Sequence, residues 1–117
     1  MITFKQGDVV LIPFPFTDFS TFKQRPAVIL SSNKFNTSQQ DVIVAAVTSH
    51  IPQTVSENDY ILNADELQSA GLPKTSLIKL DKIVTIDHRL IHKRLGTLPI
   101  HTLHKIIPQF QQIFIPK

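Results

Sequence analysis

A guanidinium stands directly before an apolar run in the segment KQRPAVILSS, residues 23–32. Arg25 can bind two oxygens of a phosphate at once, because its planar fork of N–H donors is permanently charged. Pro26 restricts Arg25 to extended geometry, so we expect Arg25 to be held where a strand enters a sheet. The segment alone leaves two interpretations open: a turn residue bound to a carboxylate, or a ligand for a phosphate.

Two hydroxyls, Thr48 and Ser49, close the apolar segment DVIVAAVTS, residues 41–49. Each can donate a hydrogen bond to a phosphoryl oxygen, although Thr is also an ordinary strand residue. Consecutive strands usually pair, and in an antiparallel pair the start of one lies beside the end of the other. We therefore predict that Arg25 and Thr48 meet at one end of the sheet.

Basic residues also gather between residues 79 and 94. The segment contains Lys79, Lys82, Arg89, Lys93, Arg94, His88 and His92 against only Asp81 and Asp87. The whole chain has a formal charge of +3. This composition suits a polyanionic partner but equally describes a solvated face.

Several function classes are excluded or disfavoured by the sequence. Cys is absent, which excludes disulfides, a thiolate nucleophile and a Cys-built zinc site. Neither a phosphate-binding glycine loop nor a zinc-protease motif is present. The pairs His88/His92 and His101/His104 lack a third ligand at metal-binding spacing. We expect no metal and no cofactor.

The elements that would position these residues are mostly short strands. The predicted strands cover residues 8–14, 25–32, 41–49, 60–62, 75–80 and 82–86, with 94–98 as a further candidate. Pro13 and Pro15 indicate a sheet edge or bulge. Residues 32–37 have the composition of a turn. Three phenylalanines, Phe16, Phe19 and Phe22, lie in the first loop, as a local core or as a surface for base stacking.

Two helices complete the predicted architecture. NADELQSAGL is a short helix capped by Asn63 and stopped by Gly71. The tail from Leu98 is an amphipathic helix that Pro108 kinks or splits. We predict one domain over residues 1–117, mainly β with added helices (α+β), folded as a small SH3-like barrel with a C-terminal helix. Without a membrane-length apolar run or a signal peptide, we expect a cytoplasmic protein.

The motifs GDVVLIPFPFTD and KQRPAVILSS resemble those of the MazF/PemK family of toxin–antitoxin ribonucleases. The family pattern falls here on Gly7-Asp8, Lys23-Gln24-Arg25-Pro26, Ser31 and Asn36. AAVTS, AGLPKTSLIKLDKIVTID and LGTLPIHTLHKI resemble the later parts of the family. The resemblance covers nearly the whole chain.

The resemblance implies a PemK-type barrel that works as a homodimer and cleaves single-stranded RNA without a metal, giving a 2′,3′-cyclic phosphate and a 5′-OH. It also implies an acidic antitoxin as partner, with DNA contacted only through that antitoxin. The catalytic residues would be Arg25, Thr48 and Asp81, although a Lys at position 79 stands where the family pattern has Arg. RNA-binding candidates are Lys23, Gln24, Ser49, His50, Lys79, His88 and Arg89. His50 and His88 are further candidates for the proton acceptor, since imidazole changes charge nearest neutral pH.

Two other kinds of function remain alternatives at this stage. One is a member of the same fold that binds RNA or protein without cleaving; gyrase-poisoning relatives act through a tail containing Trp, which is absent here. The other is a module for proline-rich peptides, which needs an aromatic groove. Tyr60 is the single Tyr, so the sequence disfavours that module.

Overall fold

Six strands form one antiparallel sheet in the order β4–β5–β3–β2–β1–β6. The computed structural model describes residues 3–15 and 22–117. The strands are β1 (Asp8–Pro15), β2 (Phe22–Ile29), β3 (Asp41–Thr48), β4 (Asp59–Ile61), β5 (Leu77–Asp87) and β6 (Lys93–Thr97). The helices are α1 (Asn33–Ser38), α2 (Ala64–Ala70) and α3 (Ile100–Gln111), with 3₁₀ turns at His88–Leu90 and Gln112–Phe114.

The sheet curls into a half-barrel with an apolar core on each face. The first core contains Val28, Ala45 and Leu80 and is covered by α2 and α3 through Ala70, Leu103 and Ile106. The second core contains Val10, Ile12, Ala27, Ile29, Val42 and Val44. Because strand side chains alternate, β1, β2, β3 and β5 each contribute to both cores. The prediction of a mainly β barrel with added helices is confirmed.

The pairing of strand β1 explains why two prolines are tolerated in the first apolar run. The strand pairs with β2 from Val9 to Pro15, but its pairing with β6 ends at Leu11. Among the described residues, no strand pairs with β1 on this side at Pro13 and Pro15. A residue without an N–H is tolerated there. The predicted edge position is confirmed. Phe16 and Phe19 of the first loop lie outside the described residues.

Strand β2 begins earlier than the sequence indicated. It starts at Phe22 and ends at Ile29, so Arg25 lies inside the strand and not at its entrance. The predicted turn over residues 32–37 is wrong, because Asn33–Ser38 form helix α1. Ser32 caps this helix by accepting a hydrogen bond from the amide of Phe35.

Strand β5 is one strand of 11 residues, so the prediction of two separate strands over residues 75–86 is wrong. Its register with β3 jumps from Ala46↔Lys79 to Ala45↔Ile83. The residues between, including Asp81, form a bulge that bends the strand without ending it.

The helix predictions are closer to the structure. Asn63 and Glu66 form a capping box at the start of α2, and Gly71 ends it with φ 72°. Helix α3 continues through Pro108 as a single helix, so the proline does not split it. Within the described part of the chain, no helix has the length and apolar character needed to cross a membrane.

Candidate active site

Arg25 and Thr48 occupy the same level of the sheet. The β2–β3 register ends with the pair Ala27↔Ala46, and Arg25 and Thr48 each lie two residues beyond this pair along their strands. Side chains alternate along β2 and β3, and Val28 and Val47 point into the first core. Arg25 and Thr48 therefore lie on the opposite face of the sheet, which also carries Ala27 and Ala46. We call this part of the sheet, where β2 begins and β3 ends, the Arg25 end. The expected antiparallel pairing of the second and third strands is confirmed.

Thr48 is oriented by His50, which lies two residues after the end of β3. The backbone N–H of His50 donates to Thr48 Oγ1 at 3.1 Å. Since the oxygen already accepts this bond, its own O–H remains available to donate. Arg25 and His50 are exposed and Thr48 is half-buried, so this group can be reached from solvent.

Lys79 lies on the same face, one strand beyond Thr48. It pairs with Ala46 of β3 on one side and with Asp59 of β4 on the other. Its Nζ contacts Asp59 Oδ1 at 3.2 Å. A cation is thus fixed at the Arg25 end, next to the level of Arg25 and Thr48.

Four other predicted residues also lie towards this end. Lys23 and Gln24 precede Arg25 in β2 and pair with Phe14 and Pro13. Ser49 follows the end of β3, and Asp81 lies in the β5 bulge; both are exposed. The Arg25 end therefore combines cations, hydroxyls and a carboxylate, which are the groups needed to hold a phosphodiester and move a proton.

His88 and Arg89 lie at the opposite end of the sheet. They follow Asp87, which pairs with Asp41 at the start of β3, about 24 Å from Thr48 at roughly 3.4 Å per residue. His88 Nδ1 lies 2.8 Å from the carbonyl of Gln40, and the Arg89 side chain binds both oxygens of Asp87. Hydrogen bonds from Arg89 lower the pKa of Asp87 to about 2. The structure does not bring this pair together with Arg25.

Some residues of the family pattern have structural roles. Asp8 is buried and accepts hydrogen bonds from the amide of Lys5 and the hydroxyl of Thr97, and its Oδ2 lies 3.1 Å from Arg94 Nε. Ser31 donates to Asn36 and accepts from the amide of Ile43. These contacts tie the start of β1 and helix α1 to the sheet.

Sequence reasoning missed Asp59. It begins β4, twenty residues before Lys79, and no spacing or motif connects the two. Only the register of the β4–β5 pair reveals that they are neighbours. Residues 3–15 and 22–117 contain no group of three or more His, Asp or Glu side chains arranged to hold a metal ion.

A family model matches residues 5–114 of the chain, nearly its full length. The model describes PemK-like, MazF-like toxins of type II toxin–antitoxin systems. The chain belongs to this family. The family resemblance noted in the sequence is therefore confirmed.

Curated relatives and solved structures agree with this assignment. Endoribonuclease MazF6 of Mycobacterium tuberculosis and endoribonuclease MazF2 of Mycobacterium bovis are each 27% identical over 85 residues, 72% of either chain. A mycobacterial endoribonuclease solved with its cognate antitoxin superposes with a TM-score of 0.75 at 18% identity, covering 97% of both chains. MazF of Deinococcus radiodurans gives the same TM-score, identity and coverage. At this identity the two structures show the shared fold.

Proposed function

We propose that this protein is an endoribonuclease toxin that cleaves single-stranded RNA and is neutralised by an antitoxin protein. The observation that carries the proposal is the family match over residues 5–114, combined with an Arg and a Thr on one exposed level of the sheet. The curated relatives are named endoribonucleases.

The proposed reaction is an in-line attack of a ribose 2′-OH on its own phosphodiester. The O2′–P bond forms and the P–O5′ bond breaks, leaving a 2′,3′-cyclic phosphate and, after protonation, a 5′-OH. Both the nucleophile and the phosphorus belong to the RNA, so the protein's task is to position them and stabilise the developing charge. We assign Arg25 to the stabilisation of charge on the phosphoryl oxygens, and the Thr48 hydroxyl donates a hydrogen bond to one of them. The reaction requires no metal or cofactor.

Proton transfer has two candidate acceptors near Thr48. His50 donates its backbone N–H to Thr48, which keeps the residue beside the site. Asp81 lies exposed in the β5 bulge near Ala46. Arg25 is a poor base because guanidinium retains its proton in proteins, so its role is charge stabilisation. His88 lies at the far end of the sheet and is not assigned to the cleavage step.

RNA binding at the Arg25 end is assigned to Lys23, Ser49 and Lys79. Gln24 alternates with Arg25 along β2, so it lies on the opposite face and is not assigned to this contact. A single strand crossing this end meets cations on β2 and on β5, with the β3 hydroxyls between them. Phosphate contacts from several strands hold the backbone in register without reading the bases.

The partners follow from the family. The proposed assembly is a homodimer, inhibited by an acidic antitoxin that occupies the basic cleft; any DNA contact is indirect, through the antitoxin. Solved relatives include an endoribonuclease in complex with its cognate antitoxin and a MazE–MazF complex of Deinococcus radiodurans. The formal charge of +3 favours an acidic partner.

The test is incubation of the purified protein with a defined single-stranded RNA in the presence of EDTA. The proposal predicts discrete fragments whose 3′ ends are cyclic phosphates and whose 5′ ends accept phosphate from a polynucleotide kinase. Binding of the RNA without cleavage would overturn the proposal in favour of a non-catalytic member of the fold.

A further inference from the structure

A buried ion pair lies beside the candidate active site. The Asp59 side chain is 1% exposed and that of Lys79 is 26% exposed, with Nζ and Oδ1 3.2 Å apart. A carboxylate buried to this degree needs its charge compensated, since removal of one partner leaves an isolated buried charge. Lys79 therefore differs from a surface lysine, because its ammonium has a defined place.

Asp59 is itself held from two other directions. Its second carboxylate oxygen, Oδ2, accepts from the amide of Ser56 at 3.1 Å. Its backbone carbonyl accepts from Nε2 of Gln109 on α3 at 3.0 Å. The carboxylate that holds Lys79 is thus fixed by the preceding loop, and the backbone of Asp59 is fixed by helix α3.

The ion pair lies on a defined row of the sheet. Ala27, Ala46, Lys79 and Asp59 are successive partners across β2, β3, β5 and β4. Arg25 and Thr48 stand two residues further along the same face. The backbones of β2 and β5 are separated by two strand spacings, about 10 Å. Asp59 lies on the side of Lys79 away from β3, so the ammonium is held towards β4 and not over Thr48.

We propose that Asp59 is a positioning residue that fixes Lys79 as the binding group for the phosphate next to the scissile one. The inference rests on the proposed function, since it assigns a second phosphate contact to the same RNA. Arg25 acts on the reacting phosphate, whereas Lys79 anchors its neighbour. One donor of the ammonium serves Asp59, which leaves two for the RNA.

The direction in which Asp59→Asn changes the affinity for RNA distinguishes a positioning role of Asp59 from competition with the RNA for Lys79. A carboxylate near RNA repels phosphate, so Asp59→Asn should tighten binding if Asp59 only competes with the RNA for Lys79. If Asp59 positions Lys79, the same substitution weakens binding because the ammonium loses its fixed place.

The experiment measures binding of a mixed-sequence 12-nucleotide 2′-O-methyl RNA by fluorescence anisotropy at several KCl concentrations. Asp59→Asn and Lys79→Gln are each expected to weaken binding about tenfold, the effect of one charge-assisted hydrogen bond. Each should reduce the slope of log K against log salt by about 0.7. The double variant should bind no more weakly than Lys79→Gln, because both single substitutions remove the same contact between Lys79 and a phosphate. With cleavable RNA, KM should rise about tenfold while kcat changes less than about threefold.

Glu57→Gln is the matched control, because it removes the same charge from an exposed carboxylate two residues before Asp59. It should bind RNA as tightly as the wild type or slightly more tightly. Should Asp59→Asn unfold below the assay temperature, Asp59→Glu replaces it; a longer side chain displaces the ammonium at constant charge and is expected to weaken binding.

Two results would overturn the inference: wild-type or tighter binding by the Asp59 variant, or losses that add in the double variant. The methylated RNA cannot undergo the proposed attack, so binding is measured independently of cleavage. A wild-type protein that cleaves no RNA defeats the proposed function, whereas a cleaving protein without coupling between Asp59 and Lys79 defeats only this inference.

Discussion

At the residue scale, the hydroxyl of Thr48 accepts one hydrogen bond and is proposed to donate another. Thr48→Val keeps the shape of the side chain but removes both the acceptor for His50 N–H and the proposed donor to the phosphate. We expect cleavage to slow by about 100-fold to 1000-fold, the usual effect of removing one transition-state donor. Single-turnover cleavage of a short RNA measures this effect.

Thr48→Ser is the control for that variant, because it retains the hydroxyl. Its cleavage rate should stay within about tenfold of the wild type, and both variants should keep the wild-type melting temperature to within a few degrees. A fully active Thr48→Val protein would remove Thr48 from the catalytic residues.

That Arg25 and Thr48 lie towards the same end of the sheet could be predicted, because this depends only on the antiparallel pairing of two consecutive strands. Consecutive apolar runs pair, so the start of one and the end of the next coincide. Asp59 could not be predicted in this way. Its partner Lys79 is separated from it by helix α2 and is defined only by the register of a three-residue strand.

At the scale of elements, the single strand β5 decides which basic residues share a site. Lys79 and Arg89 are ten residues apart. Two short strands joined by a turn could have brought both residues to the same end of the sheet. The bulge at Asp81 bends β5 without reversing it, and the strand carries His88 and Arg89 to the far end of the sheet. Polar residues at 81 and 82 look like a turn in the sequence, since a bulge and a turn have similar local composition.

Helix α2 depends on Gly71 for its contact with β6. Gly71 has φ +72°, and a Cβ there would lie 2.0 Å from the carbonyl oxygen of Leu95. Gly71→Ala is therefore expected to lower the free energy of unfolding by about 2 kcal/mol or more, measured by urea denaturation. Gln68→Ala, an exposed change in the same helix, should have less than about 0.5 kcal/mol of effect. Equal stability of the two variants would contradict the close packing of α2 on β6.

Glu66 joins α2, β4 and α3. It is 1% exposed and accepts hydrogen bonds from Tyr60, Thr102 and the amide of Asn63. Burial raises the pKa of its carboxyl, but these hydrogen bonds outweigh burial and leave the pKa below its usual value. Burial first, and then the hydrogen bond to Glu66 and its charge, raise the pKa of Tyr60 to about 12.

Tyr60 should therefore make the fold sensitive to alkali. Its pKa is about 10 in the unfolded chain and about 12 in the fold. The resulting stability is fully present below pH 10 and is lost as the pH rises to about 12. Tyr60→Phe should be less stable by about 1 kcal/mol at neutral pH, because one hydrogen bond is lost. The difference in unfolding free energy between the two proteins should shrink above pH 10; a constant difference up to pH 12 would contradict this account.

At the scale of the whole molecule, the proposed assembly is a homodimer. Light scattering after size-exclusion chromatography should give twice the 13.2 kDa of one chain. The measurement should be repeated over a range of protein concentrations, because a weak dimer dissociates on dilution. A monomer at micromolar concentration that still cleaves RNA would show that the second copy is not needed.

The account as a whole depends on Arg25 acting on the phosphate of an RNA strand. Its most direct test is the single-turnover rate of cleavage in EDTA by wild type, Arg25→Ala and the control Lys34→Ala. Lys34 is an exposed lysine of helix α1, so the control removes an equal charge away from the Arg25 end. We expect Arg25→Ala to remain folded and lose at least about 100-fold in rate, and Lys34→Ala to cleave like the wild type. A folded Arg25→Ala protein that cleaves at the wild-type rate would contradict the account.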